Sequence, residues 1–141
     1  MLCGVLVSMA QEYKVTLFQV AQGLPTNLTK SIIKDEKGFV WIGTDAGLMR
    51  FDGKNVKQYK KEVLSPYFKS FAYIDKQLYA VCDQSITQLE NQIDTVVFTH
   101  LIRTQPDYSD SSLFYPKSIY KDTKGKLWIS EPRSVAIWDG K

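Results

Sequence analysis

Four glycines fall close together in the stretch GFVWIGTDAGLMRFDG, at Gly38, Gly43, Gly47 and Gly53. Glycines so spaced could cradle a phosphate. A phosphate loop needs GxxxxGK[ST], with the lysine reaching the phosphates and the loop opening a helix. Gly38 and Gly43 have the outer spacing, but Thr44 stands where the lysine belongs and a strand-like run follows. A dinucleotide fingerprint needs two glycines separated by one residue, and no pair among these four is so placed. No nucleotide cofactor is expected.

Carboxylates at Asp35, Asp45, Asp52, Asp122 and Asp139 could do paired acid/base work on a sugar. Four of them recur at turn positions of an internal repeat, where aspartate caps backbone amides. Folding explains them, and no catalytic residue is expected. The cysteines are Cys3 and Cys82, and His100 is the single histidine, so neither a zinc site nor a Cys/His nucleophile pair is supported. Cys82 follows the apolar run Leu78 to Val81 and reads as a buried structural thiol. No metal or other cofactor is implied.

The elements that position these residues emerge from the repeat. Residues 30–54 (KSIIKDEKGFVWIGTDAGLMRFDGK) align without a gap to residues 117–141 (KSIYKDTKGKLWISEPRSVAIWDGK), with 12 of 25 positions identical. The shared positions include Gly38 with Gly125, Trp41 with Trp128, Asp52 with Asp139 and Gly53 with Gly140. A decayed middle copy, KSFAYIDKQLYAVCDQSITQLENQ, occupies 69–92, and one short deletion puts Tyr79 at the tryptophan position. A period of about 40 residues fits four-stranded propeller blades or paired-helix solenoids.

Strand chemistry decides for the blades. Lys30–Lys34 carries two isoleucines and ends in the turn Asp35 to Gly38. The apolar run Phe39 to Ile42 is that of a strand covered on both faces. Thr44 to Gly47 turns the chain, Leu48 to Phe51 forms a third strand, and Asp52-Gly53 is a hairpin signal before a polar outer strand, Asn55–Tyr59. Nothing shows a helical period. The expected fold is all-β: four-stranded antiparallel propeller blades, about three of them, in an incomplete propeller. Blade one is assigned to 23–61, a degenerate blade two to 62–100 and a truncated blade three to 101–141. Residues 11–22, with the run Tyr13 to Val20, read as a strand that completes the last blade of a full ring. The recurring Trp41 and Trp128 read as packing between blades. Positions that break the repeat, Glu131 to Arg133 and the loop Tyr108 to Tyr115, are better ligand candidates, although no contact is assigned.

Length and composition set the outer bounds. The chain has 141 residues, 44% hydrophobic and 13% aromatic, which suits one β-rich globular unit. Net charge is +3, with lysines spread along the chain. The densest cluster, Lys57 to Lys61, is a solvated strand end rather than a nucleic-acid footprint. The apolar start MLCGVLVSMA, with Ser8 and Ala10 as a small-x-small pair, resembles the end of a signal peptide without its positive region, so residues 1–10 read as a leader remnant or, alternatively, a buried strand. No apolar run reaches the roughly 20 residues of a membrane span. Any anchor is expected outside this sequence.

The segment GLPTNLTKSIIKDEKGFVWIGTDAGLMRFDGKNVKQY at 23–59 closely resembles the two-component regulator propeller repeat. That repeat has a GL-P-x-N start, an Ile-x-x-Asp-x-x-Gly turn, Trp-Ile-Gly-Thr, Gly-Leu and a Phe/Tyr-Asp-Gly end. The third copy keeps Trp128-Ile129 and Trp138-Asp139-Gly140 but has Ser130-Glu131 and Ser134-Val135 for the Gly-Thr and Gly-Leu pairs. The resemblance implies the N-terminal periplasmic sensor region of a hybrid two-component histidine kinase of Bacteroidetes type. Such receptors sense oligosaccharides, and their membrane helix, kinase and output regions follow. It implies a non-catalytic segment here, secreted through a signal peptide. Three blades fall short of the four or more of closed propellers, so the sequence reads as a fragment that self-associates through open blade edges. A propeller lyase or glycosidase, or a scaffold for protein contacts, are the alternatives.

Overall fold

The computed structural model describes residues 13–92, 95–104 and 113–139. Its strands are β1 (Thr29–Lys34), β2 (Val40–Thr44), β3 (Leu48–Phe51), β4 (Val56–Tyr59), β5 (Phe68–Ile74), β6 (Gln77–Cys82), β7 (Ser85–Asn91), β8 (Val96–Arg103), β9 (Ser118–Lys121), β10 (Leu127–Ser130) and β11 (Val135–Trp138). They form three antiparallel meanders in the orders β1-β2-β3-β4, β5-β6-β7-β8 and β9-β10-β11. Short runs rich in branched and aromatic residues, punctuated by Asp-Gly turns, leave the chain few other options. One 3-10 turn, Val20–Gln22, precedes them. Among the described residues no helix is long and apolar enough to cross a membrane.

Register shows how the copies correspond. Trp41 lies opposite Arg50, Tyr79 opposite Gln88 and Trp128 opposite Ile137. On the other side Ile33 faces Trp41, Ala72 faces Tyr79 and Tyr120 faces Trp128. The middle copy reaches its position one residue sooner because Asp75 and Lys76 make a two-residue turn, with φ of 49° and 63°. Both central φ values are positive, as a type I′ hairpin requires.

The period of two within each strand sends alternate residues to opposite faces, and the sheets stack on those faces. Between the first two sheets lie Trp41, Leu48, Tyr59, Phe68, Leu78, Cys82 and Leu89; between the second and third lie Ile74, Val81, Ile86, Ile119 and Ile129. Burying a side chain of this size stabilises by roughly 1.5–3 kcal/mol. Gly43 sits where the first two sheets come closest. A Cβ built there would lie 2.9 Å from the Cβ of Phe68.

Three expectations change. Tyr13 to Gln19 form no strand, and Tyr13 is 80% exposed. Phe18 instead packs its ring on Phe51, and Leu24, just beyond, packs on Ile42 and Met49 of the first sheet. The second sheet runs to Arg103, past the boundary placed at residue 100, because Ser85 and Ile86 pair with Arg103 and Ile102. Trp128 is 39% exposed while Trp41 is fully buried, since the second sheet covers Trp41 and no described residue forms a sheet over Trp128. The leader at 1–10, with Cys3, Ser8 and Ala10, the positions Gly140 and Lys141, and residues 108–112 lie outside the described residues.

Candidate functional site

The recurring aspartates are built into the hairpins. Asp35 Oδ1 accepts from the amides of Lys37 and Phe39, both at 3.0 Å, and Oδ2 accepts the Trp41 indole N–H at 2.8 Å. Asp122 repeats this with the amides of Lys124 and Lys126 and the indole of Trp128 at 2.8 Å. The Trp128 hydrogen bond, more than the two amides, holds the Asp122 carboxyl below its ordinary pKa. Asp52 is lowered chiefly by the amides of Asn55 and Lys54. Gly38 and Gly125 close these turns with φ of 90° and 85°, open to glycine at no steric cost.

In the first sheet the aspartate also joins two blades. Asn91 Nδ2 donates to Asp35 Oδ2 at 2.5 Å, and Asn91 Oδ1 accepts from Arg50 Nη1 at 2.8 Å. Lys37 Nζ donates to the Asn91 carbonyl at 2.6 Å. The Arg50 guanidinium lies 4.3 Å from the centroid of the Phe39 ring, a cation–π contact. Asp35 is therefore buried with all its acceptors engaged.

The other motif positions also close turns. Thr44 Oγ1 donates to the Gly47 carbonyl at 2.8 Å. At the corresponding place in the second sheet Cys82 Sγ meets Ser85 Oγ at 3.2 Å, and in the third Ser134 Oγ donates to Glu131 Oε2 at 3.0 Å. Three different residue types perform one task. Glu131 Oε1 accepts from the Phe114 amide at 2.9 Å, so this repeat-breaking carboxylate serves the fold. Neighbouring Arg133 is exposed.

Cys82 is free and buried. A chain of hydroxyls nevertheless connects it to His100: Ser85 Oγ lies 2.9 Å from Thr87 Oγ1, which lies 2.8 Å from His100 Nδ1. Burial, and secondarily Arg103, lower the His100 pKa, which favours the neutral ring. Sequence spacing could not reveal this relay, because β-pairing brings the histidine to Thr87. Among the described residues no group of three or more His, Cys, Asp or Glu could hold a metal.

Two grooves flank Tyr73 on the inner strand β5, at the end of the sheets that carries the Asp35, Asp75 and Asp122 turns. The first is closed off by joinery: the Tyr73 hydroxyl accepts the Glu36 amide at 3.2 Å. In the second, Lys121 is ion-paired with Asp75.

The opposite end carries a second recurring motif. There each inner strand starts with Lys-Ser: Lys30-Ser31, Lys69-Ser70 and Lys117-Ser118. Two of them follow a tyrosine, in Tyr67-Phe68-Lys69-Ser70 and Tyr115-Pro116-Lys117-Ser118. Tyr67 is 53% exposed and Tyr115 42%. Tyr115 holds a φ of 54°, an uncommon state for a residue of its size. Its ring sits edge-on to Phe114, centroids 4.3 Å apart. Ser70 Oγ donates to the Lys117 carbonyl at 2.8 Å, so adjoining copies of the motif are fixed to each other. Aromatic faces beside hydroxyl and ammonium donors suit a pyranose, whose C–H face stacks while its hydroxyls bond. The tyrosines lie just outside the strongest part of the repeat, and pairwise comparison of the second and third copies is the signal that finds them.

A stack of four-stranded meanders with the inner strands at one edge is the architecture of β-propeller blades. Residues 23–46, the opening part of the first blade, match the Two component regulator propeller family. No curated protein matches the sequence. Among solved structures, the extracellular domain of the putative hybrid two component system BT3049 from B. thetaiotaomicron superposes with a TM-score of 0.71 at 15% identity, over 92% of this chain and 18% of that one. That of BT4673 from the same organism gives 0.69 at 20% identity, over 92% and 19%. A streptogramin B lyase gives 0.54 at 16% identity, over 83% and 42%. The chain thus spans less than a fifth of the two sensor ectodomains, and likeness at these identities is one of fold.

Proposed function

We propose that this chain is part of the ligand-sensing propeller of a hybrid two-component receptor, that it lies in the periplasm, and that its ligand is an oligosaccharide. Catalysis is not its task, and any kinase activity belongs to other parts of such a receptor. The family match at residues 23–46 and the likeness to two sensor ectodomains support the sensor reading. One observation carries the sugar reading: Tyr67 and Tyr115 present exposed rings, each two residues before a Lys-Ser pair on an inner strand. Against an enzyme stands the engagement of the groups an enzyme would use. His100 is bonded to Thr87, Asp35 to four donors and Glu131 to a turn.

Calorimetric titration of the protein with a panel of neutral and charged oligosaccharides tests this. Saturable binding that weakens in Tyr115→Ala is expected. A panel without any binder would refute the sugar reading.

A further inference from the structure

We propose that the tyrosine-lysine end of the blades takes an acidic oligosaccharide, a linear glycan bearing carboxylate or sulfate groups. This rests on the sugar-binding reading and adds the charge of the ligand.

The cations gather at that end because of topology. Lys30 and Lys117 stand at the starts of inner strands; Lys60 and Lys61 follow β4, Arg103 closes β8, and Arg133 lies in the turn between β10 and β11. Antiparallel register carries all six to one end, since Leu48 pairs with Tyr59, Ser85 with Arg103 and Ser130 with Ser118 and Val135. All six are exposed. Among the described residues none has a carboxylate within ion-pairing distance; the two ion pairs found use Lys69 and Lys121.

Two carboxylates at the same end are engaged with other groups, and two more, Asp45 and Glu62, leave the six cations in excess. Asp83 pairs with Lys69 at 2.9 Å, and both Glu131 oxygens accept hydrogen bonds from Phe114 and Ser134. At the other end lysines alternate with Asp35, Glu36, Asp75 and Asp122, so their fields cancel locally. Folding does not require this excess of one sign, because like charges that outnumber their counter-charges repel. A ligand that supplies the missing anions removes the repulsion.

Geometry selects a glycan over a flat polyanion contact. Stacked sheets lie about 10 Å apart, so Tyr67 and Tyr115 offer two rings at an interval of that order. The unpaired ammonium of Lys117 stands beside the second, while Lys69 is held by Asp83. A chain with charge on some sugars and an apolar face on others meets both. Each exposed cation contributes little alone, so the attraction is collective and screened by salt.

The test compares tetragalacturonate, a chondroitin sulfate tetrasaccharide, neutral galactotetraose and oligothymidylate by calorimetry at low and physiological salt. One or both acidic glycans should bind about tenfold or more tighter than the neutral one, and the one that does identifies the anionic group. That advantage should shrink with salt and with Lys117→Gln or Lys30→Gln, and persist in Lys124→Gln at the other end. Circular dichroism melts confirm that each variant folds. Binding of galactotetraose as tightly as both acidic glycans overturns the inference and leaves the sugar reading standing; no glycan binding overturns both. Oligothymidylate bound as tightly as the best glycan also overturns it, in favour of a non-selective polyanion surface.

Discussion

Asp35 and Asn91 join the first two blades through a hydrogen bond of 2.5 Å between Oδ2 and Nδ2. Asp35 is thereby more than the hairpin residue it has as counterpart in Asp122, which makes the same three local bonds with no partner from another sheet among the described residues. Asp35→Asn replaces an accepting oxygen with an amide donor that faces other donors, Trp41 and Asn91 among them. The expected loss is about 3 kcal/mol, against about 1 kcal/mol for Asp122→Asn in its exposed setting. Urea unfolding midpoints of the two variants check the difference.

Gly43→Ala would put a methyl group 2.9 Å from the Phe68 Cβ. Backbone and side chain meet there, so relief requires the sheets to part, and a cost of about 1–3 kcal/mol follows. The hydroxyl of the corresponding Ser130 meets that of Ser118 at an exposed site. Ser130→Ala should stay within about 0.5 kcal/mol. Equal effects of the two substitutions would contradict this account of the packing.

Tyr59 is buried between Trp41 and Phe98, with centroids 5.7 and 5.2 Å away. Its hydroxyl has no hydrogen-bond partner among the described residues, and burial raises its pKa. Tyr59→Phe keeps the ring contacts and removes an unsatisfied group. A gain in stability of about 1 kcal/mol is expected, read as a higher melting temperature. A loss would reveal a partner for the hydroxyl.

His100 makes stability depend on pH near neutrality. Its folded pKa lies below the ordinary 6.5, through burial first and Arg103 second. The unfolded chain therefore binds the proton more readily. The contribution is present above pH 6.5 and is lost as pH falls through the lowered folded value. Wild-type melting temperature should drop between pH 7 and 5.5, and the drop should be smaller in His100→Gln. An unchanged slope in the variant would sink this assignment.

The third sheet turns Tyr120, Trp128, Val135 and Ile137 outward. An apolar face of this kind promotes association. The protein should elute larger than a monomer in size-exclusion chromatography with light scattering, and Trp128→Lys with Ile137→Lys should shift it toward monomer. A compact wild-type monomer at high concentration would be the contrary result.

Much of the architecture is legible in residues 30–54, because turn residues and short branched runs speak locally. Asp-Gly at 52–53, the glycine of the Asp35 turn and the strand through Trp41 all stand where the sequence suggests. Tyr79 shares the tryptophan register because the deletion falls in a turn, where shortening preserves pairing. The segment Tyr13 to Val20 carries the alternation of a strand but pairs with no sheet among the described residues. The last blade of a ring, which it would complete, is not found among them. The candidate site was hidden for another reason. Its cations are distant in sequence and come together only through the end-to-end alternation of antiparallel strands.

The hydrogen bond that closes the turn after the second strand of each blade is made by Thr44, Cys82 or Glu131. A substitution table scores these three as unrelated, so an alignment column containing them looks like drift. Scored by whether the side chain bonds the residue three positions later, through its backbone carbonyl or its hydroxyl, the three copies agree. Degenerate blades in longer chains of this architecture can therefore be counted by bonding rule where letter identity has already failed.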